Sequence, residues 1–379
     1  MILFLLYLYN TFISLFSFIK PKRPQMKLNP KNTPEQSFTI LIPCHNEQDV
    51  IAGTIKSIQN SNYKNYNLYV IADNCTDDTI KNALTLIPES NILIVNGGSK
   101  PKAINAAVAK LKEINCWTDD NVVIVDADNR VTETMLSNFN LYHHYYRNSL
   151  LQVKIKSHND TSFIARGFTS SFNTMAEGFQ LARNQLNLSA SLSGTGFSIP
   201  RKIWDEIGFE NCNSLTEDLE FSILCILKKN YKTIFIPEDY ILNQNLDQFK
   251  PSITQRLRWS RGYVQVSVKL SKQLIKQFIK HPSWQLFDSF LLINTPSKTL
   301  IYVSFNTIYF FFKISFIPQW LVILLLIYNL IFILHCNQYK LKYLIPHLFS
   351  SFCTTFVSIA SVFTYKNTNW AKTKHKNCD

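Results

Sequence analysis

Charged residues are scarce in this 379-residue chain: Asp, Glu, Lys and Arg make up 17% of it, where a soluble domain carries about 25%. Disorder is nevertheless excluded, because a disordered chain is poor in apolar residues and this one is 46% hydrophobic and 13% aromatic. Its eight cysteines show no paired or C-x-x-C spacing, so neither a disulfide framework nor a zinc site is indicated. A Walker-type loop ending in Gly-Lys-Ser/Thr is missing, which argues against a P-loop NTPase, and Gly97-Gly98 lacks the third glycine of a Rossmann fingerprint. The length suits two to three structural units at roughly 150 residues each. The mean hydropathy of -0.03 is an average that conceals long apolar stretches.

Those stretches are pooled at the two ends. Residues 1–19 carry no charge, and about 18 apolar residues suffice to span a bilayer as a helix. Lys20, Lys22 and Arg23 come directly after the run, whereas a secretory signal would place its charge first and end in small residues. The basic flank predicts that the chain beyond it is cytoplasmic. Three further apolar stretches, Thr299 to Phe316, Trp320 to Leu334 and Leu344 to Phe363, come near the C-terminus, the first two joined across Ile317-Pro318-Gln319 as a tight helical hairpin. If all three crossed, the basic tail with Lys366, Lys372, Lys374 and Lys376 would end outside, against the positive-inside tendency. One is therefore expected to be re-entrant or interfacial.

The net charge of +13 is explained by lysines just outside apolar segments, where they meet anionic headgroups; no nucleic acid is needed to explain it. Lys269, Lys272, Lys276 and Lys280 recur at helical spacing opposite Val264, Val268, Ile275 and Ile279, a pattern expected to lie on a membrane surface. The expected organisation is a transmembrane helix over 1–19, a basic linker over 20–36, a globular domain over 37–265, an amphipathic interfacial region over 266–297, a transmembrane region over 298–365 and a basic tail over 366–379. That describes a multi-pass cell-membrane protein whose globular domain is cytoplasmic.

Within 37–265, short β-branched runs alternate with helix-compatible segments: Phe38 to Ile42, Asn67 to Ala72, Asn91 to Val95 and Asn121 to Val125 each precede a polar stretch. Such alternation implies an α/β domain with a mainly parallel sheet and flanking helices, in which ligands bind beyond the carboxyl ends of the strands. Pro43, Asn46 and Glu47 come after the first run, Asp73 after the second, Lys100 after the third, and Asp126 and Asp128 after the fourth. Two carboxylates separated by one residue at a strand end can converge on one hard cation, Mg²⁺ or Mn²⁺, which completes its shell with substrate phosphates. Gly194-Thr195-Gly196 comes later, then Ser214-Leu-Thr-Glu217-Asp218. Ser214 and Glu217 fit a capping box, which leaves Asp218 near a helix N-terminus, where the dipole favours the charged form and a general base could act. Gln255-Arg256-Leu257-Arg258-Trp259 puts an amide, cations and an indole close together, suited to phosphate and to stacking on a sugar ring.

Taken in order, these motifs resemble the family 2 glycosyltransferases, inverting enzymes with the GT-A nucleotide-diphosphosugar fold, and within them the membrane-embedded branch of cellulose, chitin, hyaluronan and poly-N-acetylglucosamine synthases. The resemblance covers residues 37 to 265 and, more loosely, the membrane segments and the end Asn369 to His375. It implies that Pro43, Asn46 and Glu47 lie beside the nucleotide, Asp73 near the base, and Lys100 in a G-K-x-x-A-L-N segment with Ser99 in place of the glycine. It further implies that Asp126 and Asp128 hold nucleotide and metal, that Asp218 is the catalytic base, and that Glu217, Gln255, Arg258 and Trp259 surround diphosphate and acceptor. The implied activity moves a sugar from a nucleotide-diphosphate sugar, a UDP-sugar, to a hydroxyl acceptor with a β-linked product. The expected outcome is polysaccharide or oligosaccharide synthesis at the membrane. The alternative is a glycolipid synthase acting on diacylglycerol or a polyprenyl phosphate, with an inactive scaffold behind both. Partners then include the donor, a glycan or lipid acceptor and the bilayer, with room for a membrane partner subunit.

Overall fold

Strands β1 (Phe38–Cys44), β2 (Tyr66–Asp73), β3 (Ile92–Val95), β4 (Asn121–Ile124), β5 (Arg130–Val131), β6 (Ser149–Ser157), β7 (Phe197–Pro200) and β8 (Lys232–Asn243) form one sheet, in the order β3-β2-β1-β4-β7-β6-β8-β5. The computed structural model describes residues 1–19, 33–295, 298–312 and 317–367. Most of linker 20–36, most of tail 366–379, including the Asn369 to His375 end, and part of the Thr299 to Phe316 stretch thus lie outside the described residues. The chain divides into two compact units. One contains the sheet, from residues 33–156 and Ser189–Gln244; the other comprises the N-terminal helix, Ser157–Leu188 and the described residues of 245–367.

In the sheet unit the four expected runs are the parallel half: β1 pairs with β2 and β4, and β2 with β3, with Phe38 level with Tyr66 and Asn121. Phe38, Ile40, Leu41 and Ile42 of β1 and Val123 and Ile124 of β4 are fully buried. Strands covered on both faces by helices read as continuous apolar runs, which is why these were legible. Beyond β4 the direction reverses. β7 runs antiparallel to β4 and to β6, and β5 antiparallel to β8, so the sheet is mixed where a mainly parallel one was expected. Antiparallel pairs need no helical crossover, so the βα alternation that marks the first half gives no signal for the second. Ile51, Ile55 and Ile58 of helix Ile51–Gln59, one face at helical spacing, join Leu136 and Phe139 of helix Met135–Tyr145 in a core against Phe38, Ile40, Val70 and Val123.

The other unit is helical, built from Ile2–Leu15, Phe163–Asn173, Leu181–Gln185, Phe249–Lys280, Trp284–Asn294, Lys298–Phe312, Gln319–Cys336 and Leu344–Thr364. Among the described residues two helices are long and apolar enough to cross a membrane, Gln319–Cys336 and Leu341–Thr364, while the N-terminal apolar helix Ile2–Phe18 is shorter. Leu344–Thr364 is one unbroken helix, without the interruption of a re-entrant segment. A π-helical turn, Thr174–Gln180, brings Gly178 so close to Phe332 that an added Cβ would clash with the ring. Small residues let helices approach in this way.

Helix Phe249–Lys280 packs through residues other than the apolar set singled out above. Its inward stripe is Val266, Leu270 and Leu274. Val268, Ile275 and Ile279 are exposed, on the same outer surface as Lys269, Lys272, Lys276 and Lys280. The helix turns a mixed basic and apolar surface outward because its packing here needs only this narrower stripe of about two turns.

Inside this unit Arg183 forms a bidentate ion pair with Asp288, Nε to Oδ2 at 2.8 Å and a terminal nitrogen to Oδ1 at 3.0 Å. The Tyr9 hydroxyl donates to the same Oδ1 at 2.7 Å. Both charged side chains are almost wholly buried. Removing one partner of such a pair leaves an uncompensated buried charge, at about 3–5 kcal/mol. Asp288→Ala should therefore lower the thermal unfolding midpoint strongly, and Asp288→Leu combined with Arg183→Leu should recover much of the loss. A double variant no more stable than Asp288→Ala would remove the pair from that role.

Candidate active site

The carboxyl ends of β1 to β4 gather the predicted residues in two groups. Pro43 sits in β1 opposite Ile71, beyond Leu41, where the β4 pairing stops, so its missing N–H removes no ladder bond to β4. Asn46 adopts a left-handed conformation, φ 58°, which asparagine tolerates. Its amide oxygen accepts from the Thr76 N–H at 2.7 Å, and the Glu47 N–H donates to Thr79 Oγ1 at 2.7 Å. These bonds tie the loop after β1 to the loop after β2. Asp73 closes β2; its Oδ1 accepts from the N–H groups of Gly97 at 2.7 Å and Gly98 at 3.2 Å. The loop leading to Lys100 is thereby held to β2. Ser99 is extended, φ -161°, a conformation open to any residue, so the absent glycine of the family motif is not needed there.

The second group is charged. Lys100 begins helix Lys100–Glu113 and its Nζ donates to Asp126 Oδ1 and to the Gly194 carbonyl, both at 2.6 Å, with Glu217 Oε1 at 3.8 Å. Burial opposes its charge, but the fields of Asp126, Glu217 and Asp218 outweigh it, and Lys100 titrates above an ordinary lysine. Glu217 and Asp218 open helix Glu217–Lys229 and both are buried. Burial raises the Asp218 carboxyl above the ordinary aspartate range, against the lowering effect of the Leu219 N–H, of Lys100 and of the Asp218 and Gly194 N–H groups. Gly194 is left-handed, φ 79°, and a Cβ there would meet Asp218 Oδ2 at 3.9 Å; here glycine supplies the backbone conformation that turns its N–H and carbonyl toward Asp218 and Lys100.

The expected capping box does not form. Thr216 is the N-cap and makes no side-chain cap bond, the Ser214 hydroxyl is buried without a partner, and the fully buried Glu220 accepts the Asn213 and Ser214 N–H groups at 3.0 and 2.9 Å. The loop folds back onto Glu220 in the first helical turn, and this frees Glu217 to face Lys100.

Asp126, Glu217 and Asp218 set three carboxylates against one ammonium, so the pocket is net negative. A bare diphosphate would be repelled; one accompanied by a divalent cation would not. No ready-made cluster of three or more His, Cys, Asp or Glu side chains occurs among the described residues, so Asp126 and Asp128 would supply only part of an oxygen shell. That suits a small hard cation that keeps substrate phosphates among its ligands.

Three residues that hold these groups were missed from sequence. Asn129, fully buried, donates to Asp128 Oδ1 at 3.1 Å and accepts from Thr195 Oγ1 at 2.6 Å. The Thr195 hydroxyl in turn accepts the Asp126 N–H at 2.9 Å. Gln152, on β6, grips the Gly194 loop from below, accepting the Ser193 N–H at 2.8 Å and donating to the Thr195 carbonyl at 2.9 Å. A lone glutamine inside the apolar run of β6 was the available signal for the last. Gln255, Arg258 and Trp259 belong to the helical unit, on Phe249–Lys280, where Trp259 makes edge contacts with Phe168 and Phe172.

Residues 121–334, more than half of the chain, match the model of glycosyl transferase family group 2. The chain belongs to this family. It is 27% identical over 295 residues to "Probable glycosyltransferase YdaM" of Bacillus subtilis (strain 168), covering 70% of this chain and 64% of that one. It is also 27% identical over 231 residues to "Beta-monoglucosyldiacylglycerol synthase" of Nostoc sp. (strain PCC 7120 / SAG 25.82 / UTEX 2576), covering 59% of this chain and 48% of the relative. The chain thus spans between about half and two thirds of the length of these curated relatives. The fold is shared with mannosyltransferase PcManGT from Pyrobaculum calidifontis, solved with GDP-Man and Mn²⁺, at a TM-score of 0.62, 13% identity and 96% coverage of both chains.

Family membership makes the Asn129–Thr195 relay testable through glycosyl transfer. Groups that orient a metal-binding carboxylate typically contribute about 10–100-fold in activity or metal affinity. Thr195→Val, assayed well below its unfolding midpoint, should lose this much kcat/KM, with a rise in the Mn²⁺ concentration needed for half-activity, while Thr195→Ser retains activity. Equal activity of Thr195→Val and the unaltered protein would refute the relay.

Proposed function

We propose that the protein is an inverting glycosyltransferase that moves a sugar from a UDP-sugar to a hydroxyl acceptor at a membrane, giving a β-linked product. The observation that carries this reading is the cluster of Lys100, Asp126, Glu217 and Asp218 beyond the strand ends. Pro43, Asn46, Glu47 and Asp73 shape the loops that would cradle the nucleotide. Asp218 takes the proton of the acceptor hydroxyl, the oxygen bonds to the anomeric carbon, and the bond from that carbon to the diphosphate breaks on the opposite face. A carboxylate raised by burial is a stronger base than a solvated one, which favours this step. Lys100 offsets charge on the departing diphosphate, and the remaining catalysis is positioning. Asp126 and Asp128 are the residues that would hold a divalent cation, Mg²⁺ or Mn²⁺, whose chemistry is to neutralise the leaving group. The roles of Gln255, Arg258 and Trp259 toward diphosphate and acceptor rest on the family motif alone.

Two acceptor classes are compatible with this chemistry. The Q-x-x-R-W motif favours chain extension into a polysaccharide. The likeness to a β-monoglucosyldiacylglycerol synthase, together with only two described helices long enough to cross a membrane, favours a lipid hydroxyl. Such a placement makes the protein multi-pass in the cell membrane with its sheet unit cytoplasmic.

The test is a membrane assay with labelled nucleotide sugars and Mn²⁺ or Mg²⁺. A chloroform-soluble product supports the lipid acceptor and a large, lipase-resistant one the polymer; no transfer from any donor would overturn the activity. Asp218→Asn should abolish transfer while donor binding persists. Because the base must be ionised and its pKa is raised, the acidic limb of kcat/KM should lie above the ordinary aspartate range, with activity lost as pH falls through it. A limb at or below that range would remove Asp218 from the role.

A further inference from the structure

The helical unit contains a cation that neither the fold nor the proposed reaction uses. Arg256 lies two residues before Arg258 on helix Phe249–Lys280, about 200° around it at 100° per residue. Its guanidinium rests 4.1 Å over the Phe168 ring and donates to Thr354 Oγ1 at 3.2 Å. Among the described residues no Asp or Glu pairs with it. The contrast is Arg183 in the same unit, which is bound bidentately by Asp288. Burial depresses Arg256 to about 10, with only the adjacent Cys353 acting to raise it. A desolvated guanidinium without a counter-charge is costly, and its planar fork fits phosphate.

Arg256 lines a crevice between helices Phe163–Asn173, Phe249–Lys280 and Leu344–Thr364, where Ser252 and Ser350 add hydroxyls. The mouth is apolar. Phe163 and Phe249 each contact Phe349, with ring centroids at 5.4 and 6.0 Å, and these three rings are 45%, 51% and 39% exposed. Further along the third helix, a candidate membrane span, Phe352 and Phe356 are also exposed. Free phosphate would satisfy the arginine but leave the rings in water. Basic pockets between membrane helices bind anionic headgroups.

We propose that this crevice binds a phosphate-bearing lipid, with the phosphate on Arg256 and the acyl chains over Phe163, Phe249 and Phe349. The site is independent of glycosyl transfer and would stand if that activity were disproved. Cys353 lines the crevice and is a free thiol, so it reports occupancy in the unaltered chain. The purified full chain in neutral detergent is treated with N-ethylmaleimide alone, with dioleoyl phosphatidic acid, with dioleoylglycerol, or with inorganic phosphate, and alkylation of Cys353 and of Cys116 is monitored by peptide mass spectrometry. Phosphatidic acid should slow Cys353 alkylation by roughly tenfold when present at about ten times its Kd, leaving Cys116, in the sheet unit, unaffected. Dioleoylglycerol and inorganic phosphate should give no such protection, and Arg256→Gln should abolish that by phosphatidic acid. Equal protection by dioleoylglycerol would overturn the role of the phosphate, and equal protection by inorganic phosphate the role of the chains. Protection retained in Arg256→Gln would overturn the role of the arginine. The comparison of probes on the unaltered chain decides the first two without depending on a variant.

Discussion

One ammonium organises the sheet unit's site. Lys100 is held at 2.6 Å by both the Asp126 carboxylate and the Gly194 carbonyl, with Glu217 and Asp218 close enough to raise its pKa. Three carboxylates drawn from a strand end and a helix start would repel one another without it. Their attraction to Lys100 offsets the cost of burying them, and it brings the end of β4, the Gly194 loop and the start of Glu217–Lys229 to one place.

The arrangement leaves a surplus of negative charge, and that surplus has consequences. A diphosphate arriving with a cation would meet less repulsion there than a bare one, and burial keeps Asp218 from ionising as easily as a solvated aspartate would. Burial is the larger of the effects on Asp218, yet three backbone N–H groups and Lys100 moderate it. The carboxylate is left basic enough to take a proton and still ionisable. Behind these groups, Asn129, Thr195 and Gln152 carry no charge of their own, but they fix where the charges point. Neutral hydrogen bonds to buried partners are costly to leave unmade, which gives the carboxylates definite positions.

The helical unit solves a different problem. Its buried charges are either paired, as Arg183 with Asp288, or left beside apolar rings, as Arg256. The first is a structural solution and needs nothing further. The second has no acidic partner among the described residues, and the exposed phenylalanines around it favour a partner with an apolar portion. Exposed apolar residues among the lysines of helix Phe249–Lys280 fit the same kind of surroundings.

The parallel half of the sheet and the positions of Asp73, Lys100, Asp126 and Asp128 were readable because each strand there is a continuous apolar run ending in polar residues, a local pattern with a fixed period. Local pattern also revealed the apolar stretches at both ends of the chain. It could not reveal the antiparallel half, since β6, β7 and β8 meet through contacts between distant residues, and a helix between two strands does not say in which direction they pair. It likewise assigned Ser214 and Glu217 to a capping box that the fold rejects in favour of Glu220, because which carboxylate a loop turns toward depends on what else is buried nearby. The inward stripe of helix Phe249–Lys280 was not legible for the same reason: spacing defines several possible faces, and packing selects one. The sequence by itself determined which chemical groups stand at the strand ends. Only tertiary structure decided that Asp126, Glu217 and Asp218 share a single lysine, because that depends on desolvation and distance between segments far apart in the chain.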